Sequence, residues 1–334
     1  MAPNRLLSVL IAALLGSGSV ALAQSAPASP VSPVTVTATS LPPPKVIMKQ
    51  SSDFVQHFAG IGNPERDGIS RWYDPVCVLP LGLAPQQAAM LKARIEGVAQ
   101  ELGLRAAWEK KGAGCKPNVE ILFTHQPQAA IDVIARKREY VLGYYHFIER
   151  NKLKTVTHPI QSWYVTATRS SAVGAATLAF ANVSGSTRGL STQFDWDEID
   201  DPEARSPPGC SDRISNCAMS VIHNVFIVAD SNVLEGQNLG PIADYMVMLA
   251  LSKPRSLDGC NALASVIDLF APSACAKPGG LTPADAAYLT GLYASDLELK
   301  KNFEQSDITL RMAAILIKAG AGSTGLPPAN ARSR

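Results

Sequence analysis

Charge is scarce in this 334-residue chain: Asp, Glu, Lys and Arg make up 17% of it and nearly balance, at a formal +2. A nucleic-acid partner would need a clustered basic footprint, and none is present. Aromatic residues are few, at 6%. The histidines His57, His125, His146, His158 and His223 stand apart, with no HxH or HxxxH among them. No Cys-x-x-Cys occurs and no histidine lies at ligand spacing from a cysteine, so the pattern of a zinc knot is missing. Ser184 and Ser186, in "VSGSTRG", lack the strand, sharp turn and helix of a nucleophile elbow. The acidic run 194–203, "FDWDEIDDPE", lacks the spacing and central glycine of a calcium loop and reads as a solvated loop around Trp196. No cofactor is implied by any of these stretches.

What is present begins with an address. Arg5 supplies a positive start, "LLSVLIAALL" an apolar centre, and Ala21-Leu22-Ala23 a small-x-small cleavage site. Residues 1–23 are therefore expected to be a signal peptide, with a retained anchor as the competing reading. No later segment is apolar enough to span a membrane. Export to the periplasm or the extracellular space makes the six cysteines candidates for disulfides. Proximity in sequence favours Cys77–Cys115, Cys210–Cys217 and Cys260–Cys275; closing a loop as short as the last is worth about 3 kcal/mol if unstrained.

Residues 24–50 are rich in Pro, Ser, Ala and Thr and read as a disordered linker. A single globular domain is expected over 51–322, followed by a disordered tail over 323–334. "PVCVLPLGL" reads as a strand. Pro85 opens a helix with Leu91, Ile95, Val98 and Leu102 on one face and Gly103 as its stop. "NVEILFT" reads as a second strand and "QPQAAIDVIARKREYVLGYY" as a second helix, with further strands in "QSWYVTATRS" and "NVFIVAD". A polar excursion fills residues 185–217. Helical patterns follow in "LGPIADYMVMLALSKP", "NALASVIDLFAP", "LTPADAAYLTGLYASD" and "SDITLRMAAILIKAG"; in the third, Thr282, Pro283 and Asp285 form a capping-box pattern. In the last, Ile308, Met312, Ile315 and Ala319 share a face. The order of elements predicts an α/β fold (α+β in its helical C-terminal part), with a mixed sheet and a central buried helix.

An α/β layer followed by an edge strand, a buried helix, a tight turn and a closing helix resembles the plan of the zincin-type metallopeptidases. "LTPADAAYLTGLY" is similar to the matrixin-type ending, and "SVIDLFAP" stands where the methionine turn would lie. The resemblance places the family's HExxHxxGxxH helix on "IADYMVMLALSK". Asp244 then fills the glutamate slot and Ala250 the glycine slot. The three histidine slots fall on Ala243, Val247 and Lys253, none of which binds zinc as an imidazole does.

The resemblance thus implies a zincin-like scaffold without its metal. Asp244 is the weak catalytic candidate, read alternatively as a core acid held by hydrogen bonds; Tyr245 beside it reads as a packing residue. Two functions remain open. One is an exported non-catalytic protein that binds a peptide, a polymer or an envelope protein. The other is an exported hydrolase whose non-metal active site forms only in three dimensions. A polar cleft against the central helix would favour the second, and a filled apolar space the first.

Overall fold

The computed structural model describes residues 42–61, 68–104, 115–143, 150–170, 178–180, 218–297 and 299–321. The protein has an α/β fold built on a mostly parallel mixed sheet. The strands are β1 (Arg71–Trp72), β2 (Val78–Leu81), β3 (Val119–Thr124), β4 (Ile160–Ser170), β5 (Leu178–Phe180) and β6 (Ala218–Asp230). The helices are α1 (Pro44–Phe58), α2 (Pro85–Glu101), α3 (Pro127–Lys137), α4 (Arg150–Leu153), α5 (Ser231–Leu234), α6 (Leu239–Leu251), α7 (Pro283–Ala294) and α8 (Lys301–Ala321).

The strand order is β2-β3-β6-β4-β5. β2, β3 and β6 run parallel, and β4 pairs antiparallel with β6. β1 runs parallel to β6 at Val221–Ile222, ahead of the stretch that pairs with β3. Between Val165 and Thr166 the register of β4 slips, so His223 is an extra residue in β6. Alternation along the strands divides two cores. Val119, Ile121 and Phe123 of β3, Ile160 and Tyr164 of β4, and Val225, Ile227 and Ala229 of β6 join the larger core with α1, α2, α6, α7 and α8. Trp163, Phe226 and Val228 face the other way, under Ile131 of α3 and Val141 and Leu142 of a 3-10 turn. β2 forms the sheet edge, and that edge is blunted: the Val78 amide donates to Glu96 at 3.2 Å, and Pro80 has no amide hydrogen to offer.

Three expectations need correction. The linker expected over residues 24–50 ends earlier, because α1 starts at Pro44 and buries Ile47, Ser51, Phe54, Val55 and Phe58. Pro44 suits the first helical position, so the proline run that looks like linker also starts a helix. "NALASVIDLFAP" holds only a 3-10 turn, Val266–Phe270. The Cys260–Cys275 disulfide and the Asn261 side chain, which donates to Asp268 at 2.7 Å, fold this segment back on itself before a longer helix can form. The helix expected to continue past Lys137 stops there; a 3-10 turn over Glu139–Leu142 follows and ends at Gly143 with φ of 70°. Cys77–Cys115 is also bonded, whereas Cys210–Cys217, His146, Ser184, Ser186, Trp196 and the polar excursion lie outside the described residues.

A buried ion pair ties β1 to the C-terminal helices. Arg71 pairs with Glu304 of α8, and both are about 1% exposed. Arg71 also donates to the Leu292 carbonyl and to Ser295, at 2.6 Å to its hydroxyl, while Glu304 accepts the Ile69 amide at 2.7 Å. Burial pushes the Glu304 carboxyl up from 4.5 to about 7, against the opposing pull of Arg71 and the Ile69 amide. A raised folded-state pKa means that the folded protein holds the proton more tightly. The stabilisation is therefore complete below about pH 4.5 and is lost as pH rises towards 7.

Two outcomes follow for stability. In denaturant titrations from pH 4.5 to 7, the wild-type chain should lose stability relative to Glu304→Gln as pH rises; a difference growing in the wild type's favour would contradict the direction of the shift. Independently, Tyr164→Phe and Tyr293→Phe should each cost about 1–3 kcal/mol, because each strips a donor from a buried carbonyl at the end of α6. Loss-free substitution at either tyrosine would show that water reaches that helix end.

Candidate functional site

The helix α6 is where the sequence places any active site. Asn238 caps it by accepting the Gly240 amide, and Pro241 occupies its first turn. From Ile242 to Leu251 every residue except Asp244 is buried. Ala243 and Val247, at two of the histidine slots, are 2% and 0% exposed and belong to the larger core. Lys253, at the third, turns its ammonium to the Ile61 carbonyl. An apolar, filled space therefore lies against these slots, where a catalytic metal would need donors and an open coordination position.

The far end of α6 has an unusual set of partners. Helical amide donors run out at the end of a helix, and here Met248 to Leu251 are all buried. The Met248 carbonyl accepts from the Ser252 amide at 3.1 Å and from its hydroxyl at 2.7 Å, and that of Leu249 from Tyr164 at 2.7 Å. Ala250 accepts from the Trp72 indole at 2.7 Å, and Leu251 from Tyr293 at 2.6 Å. Burial raises the phenols of Tyr164 and Tyr293 far above their usual range, so both remain protonated donors. The last turn of α6 carries no basic residue, so neutral donors alone satisfy this end.

Asp244 has both oxygens engaged. Its Oδ1 accepts from the Arg94 guanidinium of α2 at 2.6 Å, and its Oδ2 from the Leu281 amide at 2.9 Å. The carboxylate is 14% exposed and Arg94 42%, so the ion pair is partly solvated and its Coulombic worth is modest. The loop before α7 must come very close to receive it. A Cβ at Gly280 would stand 2.7 Å from Asp244 Oδ2, so only glycine fits there without a shift. Tyr245 is buried edge-on against Phe270, with ring centroids 5.2 Å apart, and burial raises its phenol. Asp244 thus joins α6, α2 and the loop preceding α7.

Asp285 makes the same kind of joint one step later. It completes the capping box with Thr282 and also accepts from the Ser265 hydroxyl at 2.5 Å and the Val266 amide at 2.9 Å. Burial raises this carboxyl, and its four donors pull the other way. The capping box is legible in sequence; the second grip, on Ser265 and Val266, carries no sequence signal.

The histidines are drawn into surface joints. His57 Nε2 lies 3.1 Å from the Asp258 carbonyl, His158 Nε2 lies 3.2 Å from the Asp258 carboxylate, and His125 Nδ1 lies 3.0 Å from Asn232. Among the described residues no three His, Cys, Asp or Glu side chains gather closely enough to hold a metal ion. No described helix is long and apolar enough to cross a membrane. An open groove of about 540 Å³ runs between the loop preceding α7 and α8, lined by Leu263, Ala264, Pro278, Pro283 and Leu316. Lys277 borders it but directs its ammonium at the carbonyls of Asp268, Leu269 and Ala271, at 2.9 Å for the first. The groove offers shape and apolar surface, without a reacting group. No known family model matches the chain, nor does any curated protein or solved structure.

The geometry around Asp244 sets an order for its variants. Asp244→Asn retains an acceptor for the Leu281 amide and should be mild. Asp244→Leu leaves that amide without its partner and should cost about 1–3 kcal/mol in urea titrations. Equal midpoints for the two variants would show that the carboxylate does not hold the loop.

Proposed function

We propose that the chain is an exported, non-catalytic protein on a zincin-like scaffold that has lost its metal, acting by binding a peptide, a polymer or an envelope protein. The observation that carries this reading is the state of α6. Two of its three ligand slots are core positions, Ala243 and Val247, and the acid between them is spent on Arg94 and the Leu281 amide. A hydrolase that assembled its site in three dimensions would need a polar, convergent cleft at this helix. The space there is filled by apolar side chains.

The order of elements supports the scaffold. Parallel β2, β3 and β6 carry the antiparallel β4 beside β6; β6 leads through α5 into the buried α6, a 3-10 turn and the capped α7. The disulfides Cys77–Cys115 and Cys260–Cys275 support export, since such bonds persist in oxidising compartments.

The test is a preparation of the protein from the exported fraction, measured by intact mass and elemental analysis. The expected product begins at Gln24, has its cysteines oxidised, and carries zinc far below one ion per chain. Stoichiometric zinc that is lost on substitution within α6 would overturn the reading. So would a hydrolytic activity that Asp244→Asn abolishes while leaving stability unchanged.

A further inference from the structure

The groove between the loop preceding α7 and α8 is apolar, and the polar groups at its border are already engaged. Leu263, Ala264, Pro278, Pro283 and Leu316 line it. Thr282 borders it, but its hydroxyl donates to the Ala264 carbonyl at 2.8 Å. The Lys277 ammonium is held by the carbonyls of Asp268, Leu269 and Ala271. A segment laid against these side chains must bury part of its own backbone, and an amide left unpaired there costs about 1–3 kcal/mol. The groove therefore selects apolar bulk with few backbone donors. Consecutive prolines meet both conditions, because they carry no amide hydrogen.

Such a segment follows α8 directly. The described chain ends at Ala321, and the sequence continues Gly-Ser-Thr-Gly to Leu326-Pro327-Pro328-Ala329. Lys318, Ala319 and Gly320 are exposed, so the last turn of α8 runs out past the groove wall. Leu316, on that wall, lies five residues before Ala321, about 7.5 Å back along the helix axis. Residues 322–325 can span up to about 13 Å, which covers a reversal over that turn and brings Leu326 to the groove. Gly322 stands directly after the last helical residue, where a reversal of the chain asks for glycine. The paired prolines restrict the backbone beforehand, so docking them costs less ordering entropy.

The chain has another Leu-Pro-Pro, at residues 41–43, but it is committed elsewhere. The Pro43 carbonyl accepts the Val46 and Ile47 amides, at 2.8 and 3.2 Å, and so starts α1. We propose that Leu326, Pro327 and Pro328 of the same chain dock in the groove before α7, with Leu326 as the anchor. A short tether gives the segment an effective concentration of about a millimolar. Intrinsic docking with a Kd on the order of 0.1 mM would then fill about nine-tenths of the grooves. The inference does not rest on the reading of α6.

A fluorescein-labelled peptide with the sequence of residues 322–334 tests it, titrated into the full mature chain and into its Leu326→Asp variant. The peptide should bind Leu326→Asp saturably and the wild type about tenfold more weakly, because the wild-type groove is filled by its own segment. Ala264 is exposed, so Ala264→Arg should leave the thermal midpoint unchanged. Added to Leu326→Asp, it should abolish peptide binding. A peptide that fails to bind Leu326→Asp overturns the proposal, as does equal binding to the wild type or binding that survives Ala264→Arg. Sedimentation distinguishes the remaining occupant. A wild type that dimerises, with Leu326→Asp monomeric, would give the groove to the segment of a second copy and overturn docking within one chain.

Discussion

Everything around α6 depends on one requirement: a helix buried nearly all round must have its end carbonyls paired where no water is at hand. Unpaired buried backbone groups each cost as much as a lost hydrogen bond, and a buried helix end presents four of them. The donors come from four different places: Ser252 just past the helix, Trp72 in β1, Tyr164 in β4 and Tyr293 in α7. That requirement fixes the positions of α7, β1 and β4 relative to α6. It also explains the choice of amphipathic aromatics, which bring apolar bulk and a single donor together.

The other end of the same assembly is held by acids that serve as joints. Asp244 accepts from α2 and from the loop before α7, and Asp285 accepts from that loop and from the segment ahead of the 3-10 turn. Glu304 plays the equivalent part for β1 and α8 through Arg71. Each carboxylate substitutes protein donors for the water it loses on burial. An acid in an apolar helix is therefore accounted for by the elements it joins.

Much of the local structure was legible. The periodic apolar face of α2, the strand alternation and the capping box at Thr282 and Asp285 are short-range patterns, and they form where the pattern lies. The start of α1 was hidden because Pro44 closes a proline-rich stretch and opens a helix at the same time. The segment after Cys260 carries helical spacing, yet the disulfide and the Asp268 and Asp285 contacts hold it to one 3-10 turn. At the site, the loss of histidine donors at residues 243 and 247 could be read directly from the chain. Its partners could not: Arg94 lies 150 residues from Asp244, and Arg71 lies 233 from Glu304, distances over which sequence carries no pairing signal.

Native-state hydrogen exchange of the α6 amides reads whether this helix is a sealed core element or the floor of an accessible site. A helix sealed by its neighbours opens only when the whole domain unfolds. The amides from Tyr245 to Leu251 should then exchange at the global unfolding free energy, and Tyr164→Phe should lower that value for all of them together. Exchange of these amides through a local opening, well below the global free energy and unaffected by Tyr164→Phe, would instead show α6 to be accessible.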